Sequence, residues 1–92
     1  MHYILFYKTV DKYIEKRAPY RDAHLAYAQR ACDKGNLIMG GALTDPTDSA
    51  LLLFRSDGPE VVEEFAKNDP YVKNELITEW HVRPWNVVIG KI

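Results

Sequence analysis

The 92-residue sequence holds few of the features that mark a secreted or membrane protein. It has a single cysteine, Cys32, so no disulfide can form within the chain, which is typical of a reducing compartment. The N-terminus, from Met1 to Ile4, lacks the cationic start, apolar centre and small-residue cleavage site of a signal peptide. No apolar run approaches the roughly 20 residues that span a bilayer. We therefore expect a cytoplasmic protein with no membrane partner.

The sequence has no excess of charge of one sign. The chain has 12 basic and 13 acidic residues and no basic run, so the phosphate contacts that dominate nucleic-acid binding are not expected. His2 and His81 have no metal-ligand spacing such as His-x-x-x-His, even with the acidic residues near them in sequence. The sequence therefore predicts neither a nucleic-acid partner nor a metal or other cofactor.

The residues that are present favour one compact domain over residues 1–92. Apolar residues make up 47% of the chain and charged residues 27%, which is ordinary for a folded protein. Aromatic and β-branched runs predict strands, and Pro19 and Gly35 fit the start and stop of a helix. The predicted elements are a strand over 3–10, a loop or frayed helical turn over 11–18, a helix over 19–34, a strand over 36–43, a strand over 50–55, a helix over 60–67, a short helical turn over 71–76 and a last strand over 77–89 that is interrupted at Pro84.

The order β-α-β-β-α-β predicts an α+β fold of the ferredoxin-like kind, with a four-stranded antiparallel sheet. Both helices then cover one face of the sheet. Strands rich in Tyr, Trp, Val and Ile should not leave the other face in water, so we expect a homodimer that forms through that sheet face.

Four segments, read together, resemble the YciI-like family, which is also called YCII-related. The match in order and spacing covers essentially the whole chain, and the pairing of Arg-x-x-His-Leu with Asp-Pro-Tyr-Val is its most specific part. The four segments lie at residues 21–25, 35–41, 65–72 and 82–85.

The resemblance implies a dimeric α/β barrel, in which two ferredoxin-like sheets pack face to face. It also implies an active site built on a His-Asp pair, which falls here on His24 and Asp69. One member of the family is similar to a dehydrochlorinase of chlorinated hydroxyquinols, and most have no assigned reaction. The family therefore indicates the fold and the site more firmly than the chemistry.

The residues themselves allow that chemistry. An imidazole titrates near neutrality, and a carboxylate on one of its nitrogens leaves the other nitrogen free to accept a substrate proton. Beside His24 on the helix, Arg21 can bind an anion or pair with a nearby acid. Tyr71 can line a pocket for a flat ring, and Gly41 can let a ligand approach the backbone. We interpret these three residues as substrate-binding.

Other interpretations of these residues remain open. Asp69 could serve only to end a helix in an Asp-Pro turn, and Trp85 fits a dimer interface better than a pocket. Leu25, Ala28 and Cys32, with Ala31 beside them, mark the apolar stripe of the helix predicted over 19–34. Cys32 therefore fits a small core residue better than a nucleophile.

The leading hypothesis is a cofactor-independent lyase, isomerase or hydrolase that acts on a small anionic molecule, for which an aromatic ring is one option. The alternative is a dimeric module that binds or senses a metabolite without turnover. A third interpretation is an oxygenase of the related dimeric α/β-barrel group, but no residue in the sequence specifically favours it.

Overall fold

The computed structural model of the protein describes residues 1–91, and its strands form one antiparallel sheet in the order β2-β3-β1-β4. This is the βαββαβ arrangement of a ferredoxin-like α+β fold, as the sequence predicts. The elements are β1 (His2–Thr9), α1 (Tyr13–Lys16), a 3-10 turn (Ala18–Tyr20), α2 (Arg21–Asp33), β2 (Leu37–Ala42), β3 (Ser49–Arg55), α3 (Glu60–Asn68), α4 (Pro70–Lys73) and β4 (Ile77–Trp85).

The two central strands, β1 and β3, show why the sheet has an inner face. Side chains alternate across a strand, and in β1 every second residue is buried. Tyr3, Leu5 and Tyr7 pack with Phe54 of β3 against the helices, and Leu5 and Phe54 are fully buried. This inner face, together with Val62, Phe65 and Ala66 of α3, forms the core.

The opposite side of the sheet, which we call the open face, has no helix from residues 1–91 packed against it. Its apolar centre is formed by alternate residues of β1, β2 and β3. The strand register places Ile4 and Met39 on either side of Leu53, and Phe6 opposite Leu51. Met39 is the most exposed of them, at 57%. The residues of this centre are Ile4, Phe6, Met39, Leu51 and Leu53.

The last strand differs from the sequence prediction. β4 continues through Pro84 and ends at Trp85, so residues 86–89 are not part of it. Pro84 lies opposite Tyr3, and β4 is an edge strand. A proline can occupy an edge strand because its missing N–H can face away from the sheet.

The first helical region also differs in detail. Pro19 lies in the 3-10 turn, and α2 begins two residues later, at Arg21. The preceding segment, predicted as a loop or frayed turn, contains the helix α1. It is held in place by Tyr13, which is only 5% exposed and packs its ring edge-on to Tyr71.

The apolar stripe predicted for α2 is shallower than expected. Leu25 is 47% exposed, and α2 has no buried residue. Ala28, Ala31 and Cys32 are half-buried and pack against the core. The helix therefore stands partly off the sheet, which leaves room for a cavity beneath it.

Candidate functional site

The break between α3 and α4 positions Asp69. Asp69 has an extended backbone (φ −65°, ψ 127°), as expected for a residue before proline, and it caps α4, which begins with Pro70. Its side chain is 0% exposed. The sequence alone places it at a helix end, and the packing of α4 turns its carboxylate into the protein.

The Asp69 carboxylate accepts three hydrogen bonds. The Tyr7 hydroxyl donates to Oδ2 at 2.7 Å, and the Tyr71 backbone N–H donates to Oδ1 at 2.9 Å. Oδ1 also lies 2.8 Å from Nδ1 of His24. The fold thus brings together His24 and Asp69, which are 45 positions apart in sequence.

His24 is held in a defined orientation. Its ring stacks on Tyr71 at a centroid distance of 3.8 Å with an interplanar angle of 6°, and its side chain is 15% exposed. Because a carboxylate only accepts, the hydrogen on the neighbouring ring nitrogen is assigned to Nδ1. Nε2 has no hydrogen-bond partner among residues 1–91 and is the nitrogen left to interact with a ligand.

Tyr7 remains a hydrogen-bond donor in this cluster. Burial raises the pKa of its hydroxyl far above the ordinary value, and the adjacent charge and hydrogen bond of Asp69 raise it further. The pKa of Tyr27 is raised in the same way, by burial first and by Asp69 second. Its hydroxyl donates to the Phe65 carbonyl at 2.8 Å, which ties α2 to α3 beside the site.

A cavity of about 270 Å³ lies next to His24, between α1, α2 and the β2 edge of the inner sheet face. Arg21, Tyr71 and Gly41, the residues predicted to bind substrate, all line it with His24. Asp69 lies behind His24 and does not line the cavity. The other lining residues are Tyr7, Tyr13, Arg17, Leu25, Ala28, Gln29, Cys32, Leu37, Gly40, Ala42, Ala50 and Leu52.

The glycine pair of β2 contributes backbone rather than side chains. A Cβ at Gly40 would lie 3.1 Å from Cγ of Leu52, whereas a Cβ at Gly41 would meet nothing within 4 Å. Of the two glycines, only Gly40 is closely approached by another side chain, that of Leu52. The ligand-binding role of Gly41 stays a prediction.

Two other residues singled out in the sequence lie in different surroundings. Trp85 is 46% exposed at the end of β4 and does not line the cavity. Cys32 is half-buried, packs against the core and also forms part of the cavity wall.

The sequence analysis missed Tyr7 and Tyr13, and it gave Arg17 no role. Alternation along β1 could have placed Tyr7 on the same face as Tyr3 and Leu5. Tyr13 and Arg17 are four residues apart, and the Arg17 guanidinium lies over the Tyr13 ring at 5.1 Å. That spacing is a signal for a helical turn, which the polar neighbours of Tyr13 obscure.

Within residues 1–91, no group of three His, Cys, Asp or Glu side chains could hold a metal ion. No described helix combines the length and apolar character needed to cross a membrane.

The four-stranded sheet and its helices define an α+β protein of the ferredoxin-like class. The chain belongs to the YCII-related domain family, whose model matches residues 1–86. The family and the ferredoxin-like α+β fold predicted from the sequence are thereby confirmed, and the dimer stays a prediction.

Among solved structures, the chain is similar to 5-chloro-2-hydroxyhydroquinone dehydrochlorinase (TftG) from Burkholderia phenoliruptrix AC1100, in complex with 2,5-dihydroxybenzoquinone. The two chains are 22% identical, and the match covers 94% of each with a TM-score of 0.78. At this identity the likeness shows a shared fold. No curated protein matches the chain.

Proposed function

We propose that this protein is a small cofactor-independent enzyme in which His24 and Asp69 transfer a proton on a small anionic substrate bound in the cavity. The observation that carries the proposal is the 2.8 Å contact between Nδ1 of His24 and the buried Asp69 carboxylate, with Nε2 left unpartnered. Elimination, isomerisation and hydrolysis all need a group that takes a proton from one atom and delivers it to another.

The proposed chemistry follows from the hydrogen bonds of the pair. Nε2 of His24 accepts the substrate proton, and the resulting imidazolium is stabilised by the Asp69 carboxylate on Nδ1. The hydrogen bonds from Tyr7 and the Tyr71 backbone hold that carboxylate in place. In an isomerisation or hydrolysis the same Nε2 then returns the proton to the rearranging or departing atom. In an elimination of HCl the chloride leaves as the anion and Nε2 releases its proton to solvent, so in each case the enzyme ends in its starting state.

The size of the cavity supports a substrate with a single ring. At about 270 Å³ the cavity is slightly smaller than the roughly 300–1,000 Å³ that is usual for sites of drug-sized ligands. The ligand of the structurally similar dehydrochlorinase, 2,5-dihydroxybenzoquinone, is a molecule of this size. It and 5-chloro-2-hydroxyhydroquinone are therefore the first two compounds to test.

The test replaces each member of the pair by a similarly shaped amide. Asp69→Asn keeps acceptors for His24 and the Tyr71 N–H but removes the negative charge, and His24→Gln removes the titrating group. Each should lower turnover of an active substrate by about 100-fold or more, since general acid–base catalysis contributes about 10²–10⁴-fold. Asp22→Asn, on the exposed surface of α2, is the matched control and should keep full activity. Full activity in both site variants would overturn the proposal.

The alternative function is ligand binding without turnover. It is favoured by one observation: the Asp69 carboxylate is already satisfied by three donors and caps α4, which a purely structural residue would also do. A compound screen that scores thermal shift and product formation together separates the two functions. Thermal shifts with no product from any compound would favour the binding module.

We also propose that the protein forms a homodimer through its open face, because that face presents Ile4, Phe6 and Met39 with no helix over them. A cytoplasmic location remains our proposal. It is supported by the lone Cys32, which can form no internal disulfide.

A further inference from the structure

Two arginines line the cavity without acidic partners. Arg17 follows α1 as its C-cap and Arg21 begins α2, and neither forms an ion pair with any of residues 1–91. No Asp or Glu is among the residues that line the cavity. The cavity therefore has two positive charges and no side-chain negative charge facing them.

A buried hydroxyl lies beside these charges. The Tyr71 side chain is 1% exposed and lines the cavity, and its hydroxyl makes no hydrogen bond of ordinary geometry with the described residues, although the Arg21 guanidinium lies close enough to interact with it. Arg21 and Arg17 both lie near enough to lower its pKa, against the larger raising effect of burial. A buried polar group left unpaired costs free energy, so a missing partner at this position points to a ligand.

The positions of the arginines are unfavourable for the fold. Arg21 is the first residue of α2, where the helix dipole disfavours a cation, and its N-cap Tyr20 makes no side-chain cap bond. Like charges four residues apart repel each other when the backbone is helical, and residues 17–21 are nearly so. A local arrangement that lowers the stability of the fold is expected at a site where a bound anion offsets the loss.

We propose that Arg17, Arg21 and the Tyr71 hydroxyl form an oxyanion-binding subsite that selects a planar, single-ring organic anion as the ligand. Guanidinium groups bind planar oxyanions through paired hydrogen bonds, and the Tyr71 hydroxyl supplies a further donor. Leu37 and Leu52 also line the cavity and offer apolar contact to a ring. The inference rests on the proposed function, since it assumes that the cavity binds the substrate.

Binding is measured by titration calorimetry, which does not depend on turnover. The probes are 2,5-dihydroxybenzoquinone and benzoate as planar anions, resorcinol as a neutral ring and inorganic phosphate as a non-planar anion. Both planar anions should bind at least about tenfold more tightly than resorcinol, and added salt should weaken them selectively. Phosphate should bind more weakly than either.

The variants Arg17→Gln, Arg21→Gln and Tyr71→Phe locate the subsite. Each arginine change should weaken the planar anions about tenfold or more and leave resorcinol unchanged. Arg30→Gln is the matched control, because Arg30 also lies over a tyrosine ring on α2 but does not line this cavity. Tyr71→Phe should weaken anion binding while leaving the melting temperature at or above that of the wild type, since the hydroxyl has no hydrogen bond of ordinary geometry to lose.

The inference is overturned if the anions bind no better than resorcinol, if phosphate binds most tightly, or if Arg30→Gln has the same effect as Arg21→Gln. A fall in the melting temperature of Tyr71→Phe would also contradict it, because the hydroxyl would then have a structural partner. Activity distinguishes it from the proposed function. Loss of anion binding in the arginine variants together with full turnover in His24→Gln would leave the subsite standing and reject the His-Asp mechanism.

Discussion

At the scale of single residues, the site depends on Tyr7, which the sequence analysis missed. The resemblance to the YciI-like family implies His24 and Asp69, because the combination of their two motifs is specific and each motif is local. Tyr7 has no motif, and its hydrogen bond to Asp69 joins residues 62 positions apart. Such a contact becomes visible only when β1 and the α3–α4 junction are packed together. Tyr13 was missed for the same reason, since its ring packs against Tyr71 of α4.

The raised pKa of Tyr7 makes stability depend on alkaline pH. In the unfolded chain this hydroxyl ionises near its ordinary value of 10.0, whereas burial and Asp69 keep it protonated in the folded protein. Above that pH the unfolded state binds fewer protons, so the free energy of unfolding falls as pH rises. Below it the contribution is fully present. We expect the wild type to lose about 1.4 kcal/mol more than Tyr7→Phe between about pH 9 and about pH 11.

Denaturant unfolding of both proteins across this range checks the prediction. At pH 7 the tyrosine is protonated in both states, so the difference there reports the lost hydrogen bond to Asp69. Only the change of that difference with pH reports the pKa. Parallel pH profiles for the two proteins would show that Tyr7 ionises in the folded state as easily as in the unfolded one.

At the scale of helices and strands, the junction between α3 and α4 contributes most to the site, because it positions the Asp69 carboxylate. The sequence Asn68-Asp69-Pro70 predicts the break, because a residue before proline avoids helical backbone. A short helical turn is predicted over 71–76, but the sequence does not predict that this turn begins at Pro70 or that Asp69 caps it. That cap turns the carboxylate away from solvent, and the same geometry therefore serves both the helix and the proposed catalytic pair.

This double role predicts an order of stability among Asp69 variants. Asp69→Asn keeps a good N-cap and an acceptor for the Tyr71 N–H, and its amide can donate to the Tyr7 oxygen, so it should stay close to the wild type. Asp69→Ala loses the cap and leaves the Tyr7 hydroxyl unpaired, which should lower the free energy of unfolding by about 2 to 4 kcal/mol. Thermal and denaturant unfolding measure both. Equal losses in the two variants would mean that the charge of Asp69, and not its hydrogen bonds, stabilises the junction.

At the scale of the whole molecule, the sequence predicted the topology well because the element order leaves few alternatives. The predicted ends of the helices and strands are less accurate. Pro84 was expected to interrupt the last strand, but whether a proline interrupts a strand depends on whether that strand lies at an edge, which is set by the sheet order. Leu25 was expected in the core and instead lines the cavity, because α2 stands off the sheet at that end.

We predict that two copies of the whole molecule associate through the open face. Its apolar centre would pack against a copy of itself in a symmetric dimer, so a charge placed there appears twice in one interface. Met39 is suited to the test, since its 57% exposure means that Met39→Glu should leave the isolated fold intact. We expect the wild type to have the mass of a dimer and Met39→Glu that of a monomer, measured by sedimentation at micromolar concentration.

Ile14→Glu provides the matched control. Ile14 is also a large apolar side chain, 53% exposed, but it lies on α1 and away from the sheet. It should remain dimeric, because burying a repeated unpaired charge is costly only within the interface. A monomeric wild type would reject the dimer, whereas dissociation by Ile14→Glu and not by Met39→Glu would move the interface to the helical side. In that case the cavity, which opens between α1 and α2, would lie next to the partner subunit.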